Sequence, residues 1–126
     1  MNKNKQFRFQ DLNVWKNAAQ FSPDLFRLAD EFDRKRLFRF AEQLRAATLS
    51  ITNNIAEGSG STSKADFANF LNMARRSTFE VANILFLLGN HPALNGFDFA
   101  KTIFDLEQES RMLMGFIRTL TAARSK

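Results

Sequence analysis

The side chains that could do covalent or acid–base chemistry are few. The only histidine, His91, sits in GNHPAL with no nucleophile near it in sequence. A loop histidine exposed to water is the ordinary reading. Cysteine is absent, which excludes disulfides, thiolate nucleophiles and cysteine-ligated metals. Helical di-metal sites need Glu-x-x-His pairs on facing helices, and none occurs. Glu107 and Glu109 are two residues apart, so on a helix they point to different faces. The stretch GSGSTSK lacks the G-x-x-x-x-G-K-[ST] spacing of a phosphate loop and follows no strand, so it reads as a connector. The expectation is a protein that is not an enzyme and takes no metal or cofactor.

Charge is the more informative chemistry. Eighteen Lys and Arg stand against thirteen Asp and Glu, a net charge of +5, and arginine outnumbers lysine. Planar guanidinium groups suit phosphate and carboxylate. Arg34, Lys35, Arg36 and Arg39 cluster between the first two helical segments, beside Asp30, Glu31 and Asp33, which can neutralise some of them. Arg75 and Arg76 add charge further on, and Arg111 and Arg118 lie seven residues apart, on one face of a helix. Lys3, Lys5 and Arg8 form a basic N-terminal arm. Each group taken singly reads first as a solvated face. Together they make RNA or DNA candidate ligands, held through phosphates with little sequence preference.

The elements that must carry these groups are helices. Leu12, Trp15, Ala18 and Ala19 recur at helical spacing, Pro23 predicts a kink or local break, and Leu25, Leu28, Ala29 and Phe32 resume the pattern. Leu37, Ala41, Leu44, Thr48, Ile51 and Ile55 form a heptad seam that should stop at Gly58, where a left-handed cap is easiest without a Cβ. Ser61, Thr62 and Ser63 offer N-caps, and Ser63 with Asp66 forms a capping-box pattern. Phe67, Phe70, Leu71, Ala74, Thr78, Val81, Leu85 and Leu88 give the third apolar face, closed by Gly89 and Pro92. Asp98 stands as a cap before Phe99, Ile103, Leu106, Ser110, Leu113, Ile117 and Leu120. No stretch alternates with period two. The expected fold is all-α, an antiparallel up-down-up-down four-helix bundle over 9–121, with a mobile arm at 1–8 and a tail at 122–126. At 126 residues and 44% hydrophobic content the chain fits one domain with one core, rich in its fifteen phenylalanines. The opening MNKNKQFRFQ has no apolar signal region, and no apolar run is long enough to span a bilayer, so a cytoplasmic protein is expected.

One stretch is not accounted for by the seam. NNIAEGSG, from Asn53 to Gly60, carries polar residues on a helix end, and Gln43, Ala47, Ser50, Asn54 and Glu57 form a second, polar or small stripe beside the apolar one. The stripe is either a solvated flank or a polar contact between helices or subunits. Ser50, Ser77 or an arginine such as Arg45 are the candidate partners of Asn54 and Glu57 in the second case.

The motif resembles that of proteins encoded in intervening sequences of bacterial large-subunit ribosomal RNA genes. That pattern reads approximately Q-x-R-R-A-x-x-S-I-x-x-N-I-A-E-G. Here Gln43, Arg45, Ala47, Ser50, Ile51, Asn54, Ile55, Ala56, Glu57 and Gly58 match it, as do Phe67, Phe70, Leu71, Ala74, Ser77 and Glu80 later, and Leu12 and Trp15 earlier. Ala46 departs from a usual arginine, Arg76 from a usual glycine, and Ala82 from a usual glutamate. The resemblance spans roughly residues 8–120. It implies a four-helix bundle assembled as a ring-like homopentamer. It also implies kinship with the accessory protein of diversity-generating retroelements, which binds reverse transcriptase and nucleic acid. The expected partners are therefore other copies of this chain, RNA or DNA, or a protein such as a reverse transcriptase, and no membrane.

Overall fold

The computed structural model describes residues 6–94 and 96–124. Lys3 and Lys5 of the expected basic arm, and the last two residues of the expected tail, lie outside them. Among the described residues the chain is all-helical, with no strand: α1 (Asn13–Arg34), α2 (Phe38–Ser59), α3 (Lys64–Leu88) and α4 (Ala100–Arg124) pack around one core. Short 3-10 turns at Arg8–Asp11 and Pro92–Leu94 precede α1 and α4. No helix is long and apolar enough to cross a membrane.

The α2 seam lies where the periodicity puts it. Ala41, Leu44, Thr48, Ile51 and Ile55 of α2 are fully buried, against Phe32 and Leu25 of α1 and Phe67, Leu71 and Leu85 of α3 in the same core. Pro23 does not break α1, which runs through it. The carbonyl of Ala19 loses its usual donor there, while the Ser22 hydroxyl donates to the Ala18 carbonyl at 2.6 Å. Ser63 caps α3 by accepting from the Asp66 N–H at 2.9 Å. The other half of the box is supplied by Ser61, whose hydroxyl accepts from the Ser63 N–H. Asp98 accepts from the Ala100 N–H at 2.9 Å at the start of α4.

The α1–α2 corner has a defined geometry. The Leu37 N–H donates to the Phe32 carbonyl at 2.8 Å and the Arg36 N–H to the Asp33 carbonyl at 2.9 Å. These two bonds form a Schellman motif, and its left-handed position is held by Arg36 at φ 63°. A glycine is usual there, because a Cβ in this conformation costs about 1 kcal/mol.

Gly58 does not do what its position in the sequence predicts. The helix continues to Ser59, and the capping residue Gly60 has φ −84°, a right-handed value. Gly58 is instead a point of close helix approach: a Cβ there would lie 2.6 Å from the Phe70 Cβ and 2.9 Å from Phe67 Cδ1. Arg8 is likewise no part of a free arm, since its guanidinium sits 5.0 Å over the Phe67 ring. At the other end α4 runs to Arg124, three residues past the expected boundary at 121.

Glycine-to-alanine exchange should therefore have opposite signs at two helical sites. Gly58→Ala overpacks the α2–α3 contact and should lower unfolding free energy by roughly 1–3 kcal/mol. Gly115→Ala, with open space around it in α4, should raise it by up to about 1 kcal/mol. Urea unfolding of the two variants checks this, and equal effects would refute the close-approach role of Gly58.

Candidate functional site

Three features of the structure have the geometry of a site. The first answers the question raised by NNIAEG. The Asn54 amide donates to the Ser50 carbonyl at 2.9 Å and to the Ser50 hydroxyl at 3.0 Å, and the Ser77 hydroxyl donates to Ser50 Oγ at 2.9 Å. Gln43, two turns before Ser50, donates to Glu80, one turn after Ser77, at 3.4 Å. Ser50, Asn54 and Ser77, with Met73, Arg76 and Glu80, line an open niche of about 420 Å³ between α2 and α3. The small side chains of the stripe let the two helices close on each other, and the hydroxyls bridge them. Arg45 is not part of this cluster. It faces α1, where it binds Asp30 and Asp33 at 2.7 Å each. The Glu57 side chain is exposed and makes no hydrogen bond or ion pair among the described residues.

The second feature was hidden by the sequence. Glu109 of α4 is fully buried, and the Asn17 amide of α1 donates to its Oε1 at 2.9 Å. Its Oε2 has no hydrogen-bond partner among the described residues. Burial pushes the carboxyl up to about 7, and the Asn17 hydrogen bond opposes that shift. The seam assigned to α4 passed through Ser110, but the buried positions are Leu106, Glu109, Leu113 and Leu120. The signal was present, since Glu109 lies three residues after Leu106 and four before Leu113. A carboxylate at a seam position is invisible to a hydrophobic pattern. Glu107, by contrast, is exposed and pairs with Arg111 at 3.2 Å. His91 accepts from the Ala93 N–H at 3.1 Å within the turn before α4. Among the described residues no group of histidine and acidic side chains could hold a metal ion.

The third feature is the distribution of cations. Arg34 pairs with Glu31 at 2.5 Å, and Arg45 engages Asp30 and Asp33. The acidic residues at the end of α1 are thus taken. Lys35, Arg36 and Arg39 are exposed at the α1–α2 corner with no ion pair among the described residues. Arg75 lies on α3 with its guanidinium 4.9 Å over the Phe79 ring, and Arg76 is exposed beside the polar niche. Arg118 is exposed on α4, one helical face with Arg111. The candidate cations therefore sit on several faces and one corner, and they do not converge on a single pocket.

The span from the first turn to α4, with the Ser50–Asn54–Ser77 bridge inside it, also decides the kinship. A family model described as 23S rRNA-intervening sequence protein matches residues 10–115. The chain belongs to that family. The matched span of this intervening-sequence protein includes the polar niche, Gly58, the α1–α2 corner and the Asn17–Glu109 pair, whereas Arg118 lies beyond it. No curated protein and no solved structure matches the chain.

Two outcomes follow. The Glu109 carboxyl binds its proton more tightly folded than unfolded, so the unfolded state is the first to lose it as pH rises. Stability should be unaffected by this group below about pH 4.5, fall between there and about pH 7, and level off above, a loss of roughly 3 kcal/mol. Glu109→Gln should abolish that slope and be the more stable protein above pH 7, as read by thermal unfolding across pH. Asn54→Leu removes the two bonds to Ser50 and should cost about 1 kcal/mol in melting experiments or alter the mass of the assembly. Unchanged melting and mass would assign the niche to recognition instead.

Proposed function

We propose that this intervening-sequence protein is a non-enzymatic helical-bundle protein that assembles with copies of itself and binds RNA or DNA through repeated basic surfaces. The observation that carries the nucleic-acid half is the α1–α2 corner. Lys35, Arg36 and Arg39 are exposed there while Arg34 and Arg45 occupy the neighbouring acids. A net charge of +5 per protomer becomes a large field when symmetry repeats it. Contacts of this kind go to phosphates and read little sequence.

In this reading the helices run alternately up and down. Gln43 near the start of α2 meets Glu80 late in α3, Ser50 meets Ser77, and Gly58 near the end of α2 meets Phe67 early in α3. Such pairing supports an antiparallel contact, as do the short connections on either side of α2. Assembly is supported by apolar side chains left in water. Phe79 and Phe86 line an open groove of about 480 Å³ between α3 and α4, with Ile103, Leu106 and Ser110 on its far wall. Phe79 and Phe86 in that lining are 56% and 66% exposed, apolar surface of the kind that a contact between copies would cover. The family resemblance points to five copies in a ring.

A second reading keeps the bundle and gives the α3–α4 groove to a different protein, for example a reverse transcriptase served by this chain as an accessory. The apolar lining of that groove favours it.

Titrating binding to structured RNA and duplex DNA against salt separates the two readings. The first predicts useful affinity near physiological ionic strength that weakens steeply with salt. Lys35→Gln, Arg36→Gln and Arg39→Gln together should make that dependence shallower by about one phosphate contact per cation removed. Light scattering on the same sample should give a mass several times the protomer's 14.5 kDa. No binding even at low salt would overturn the nucleic-acid reading in favour of the second.

A further inference from the structure

The corner that carries Lys35, Arg36 and Arg39 also carries exposed aromatic rings. The segment from Lys35 to Phe40 reads KRLFRF. Leu37 packs on the core, but Phe38 is 59% exposed and Phe40 is 40% exposed. Ala41 and Leu44, both fully buried, define the side of α2 that faces the core. Each residue turns about 100° around the helix axis, so Arg39 points away from the core and the two rings leave on its flanks. No acidic side chain lies in the first turn of α2. The nearest acid on this helix face, Glu42, makes no ion pair with Arg39.

The geometry points to a single-stranded nucleic-acid site at the α1–α2 corner, in which Lys35, Arg36 and Arg39 hold phosphates and Phe38 and Phe40 stack unpaired bases. This rests on the reading that the protein binds nucleic acid and names the form of ligand. The case is one of charge and ring chemistry together. Cations alone would take duplex and single strand alike, whereas exposed rings gain only from bases that are free to unstack. A flexible strand can pass Arg39 and present successive bases to either flank. A membrane surface fits less well. Because the rings leave on opposite flanks of Arg39, immersing both would drag its guanidinium into apolar surroundings at a high cost. Arg36 adds a second argument. It occupies a left-handed position where glycine is the unstrained residue. Its cation is therefore present in spite of the backbone, and its removal should separate binding from folding.

The test uses fluorescence anisotropy of the full chain with a labelled oligouridylate of about 20 nucleotides and an RNA duplex of equal length. Phe38→Ala with Phe40→Ala should weaken single-strand binding at least ~10-fold, leave duplex binding and the salt slope unchanged, and keep the same melting temperature and mass. Phe38→Trp should retain single-strand binding and show indole quenching by the oligouridylate that the wild type, with Trp15 alone, does not show. Arg36→Gly should melt higher than wild type yet bind more weakly, a combination that misfolding cannot produce. Equal binding of single strand and duplex, with the phenylalanine variant unaffected, would overturn the stacking site and leave the nucleic-acid reading standing. Absence of binding to every nucleic acid at low salt would remove both. Phenylalanine-dependent binding to phosphatidylserine vesicles without RNA binding, or a change of mass in the double variant, would overturn the site in favour of a membrane or a subunit contact.

Discussion

The contact between Gly58 and Phe67 governs the rest of the structure. Without a side chain on Gly58, α2 and α3 approach until the Phe67 and Phe70 side chains touch helix backbone. Phe67 then has one ring for three neighbours. It lies against α2, meets Phe116 of α4 edge-on at a centroid distance of 5.1 Å, and receives the guanidinium of Arg8 from the N-terminal turn. The T-shaped pair and the cation over the ring both draw on the quadrupole of the Phe67 ring. Through this residue the end of α2, the start of α3, the second half of α4 and the first described turn are fixed together.

The polar bridge follows from the same closeness. Ser50 and Ser77 can meet at 2.9 Å only because small residues on α2 allow the helices to pack tightly. Asn54 then turns back to Ser50 and does not cross to α3. The bridge therefore locks the register of the two helices, since it joins Ser50 of α2 to Ser77 of α3 through their hydroxyls. Arg45 does the corresponding work on the other side of α2, holding α1 through Asp30 and Asp33. Those exposed pairs add little stability individually. Their larger consequence is electrostatic, because they occupy the acids that would otherwise neutralise the α1–α2 corner.

Glu109 shows what the core gives up. A buried carboxyl with one hydrogen bond from the protein is costly as an anion, and the protein bears that cost at neutral pH or holds a proton there. Asn17 supplies a donor from α1, and this bond ties α4 to the first helix. Thr48 on α2 likewise buries a hydroxyl with no partner among the described residues, in a seam position where valine would fill the same space.

Periodicity by itself determined most of the architecture. Every buried position of the α2 seam, the apolar face of α3, the Ser63 cap and the connector between them follow from local spacing, because helix geometry repeats every few residues and each signal lies within its own segment. The polar stripe was legible as a stripe, and Ser50 and Ser77 as partners for it, since they share the faces that neighbouring helices present. What only the tertiary structure decided depends on atoms from distant segments. Gly58 looks the same in sequence as a cap or as a contact, and the difference lies in where Phe67 and Phe70 come to rest. Glu109 is polar by type and buried by position, and only Asn17, ninety-two residues away, makes that place tolerable. The cations of the α1–α2 corner are as basic in sequence as Arg34. They make no ion pair among the described residues, where folding brings Arg45 onto acids that lie beside them in the chain.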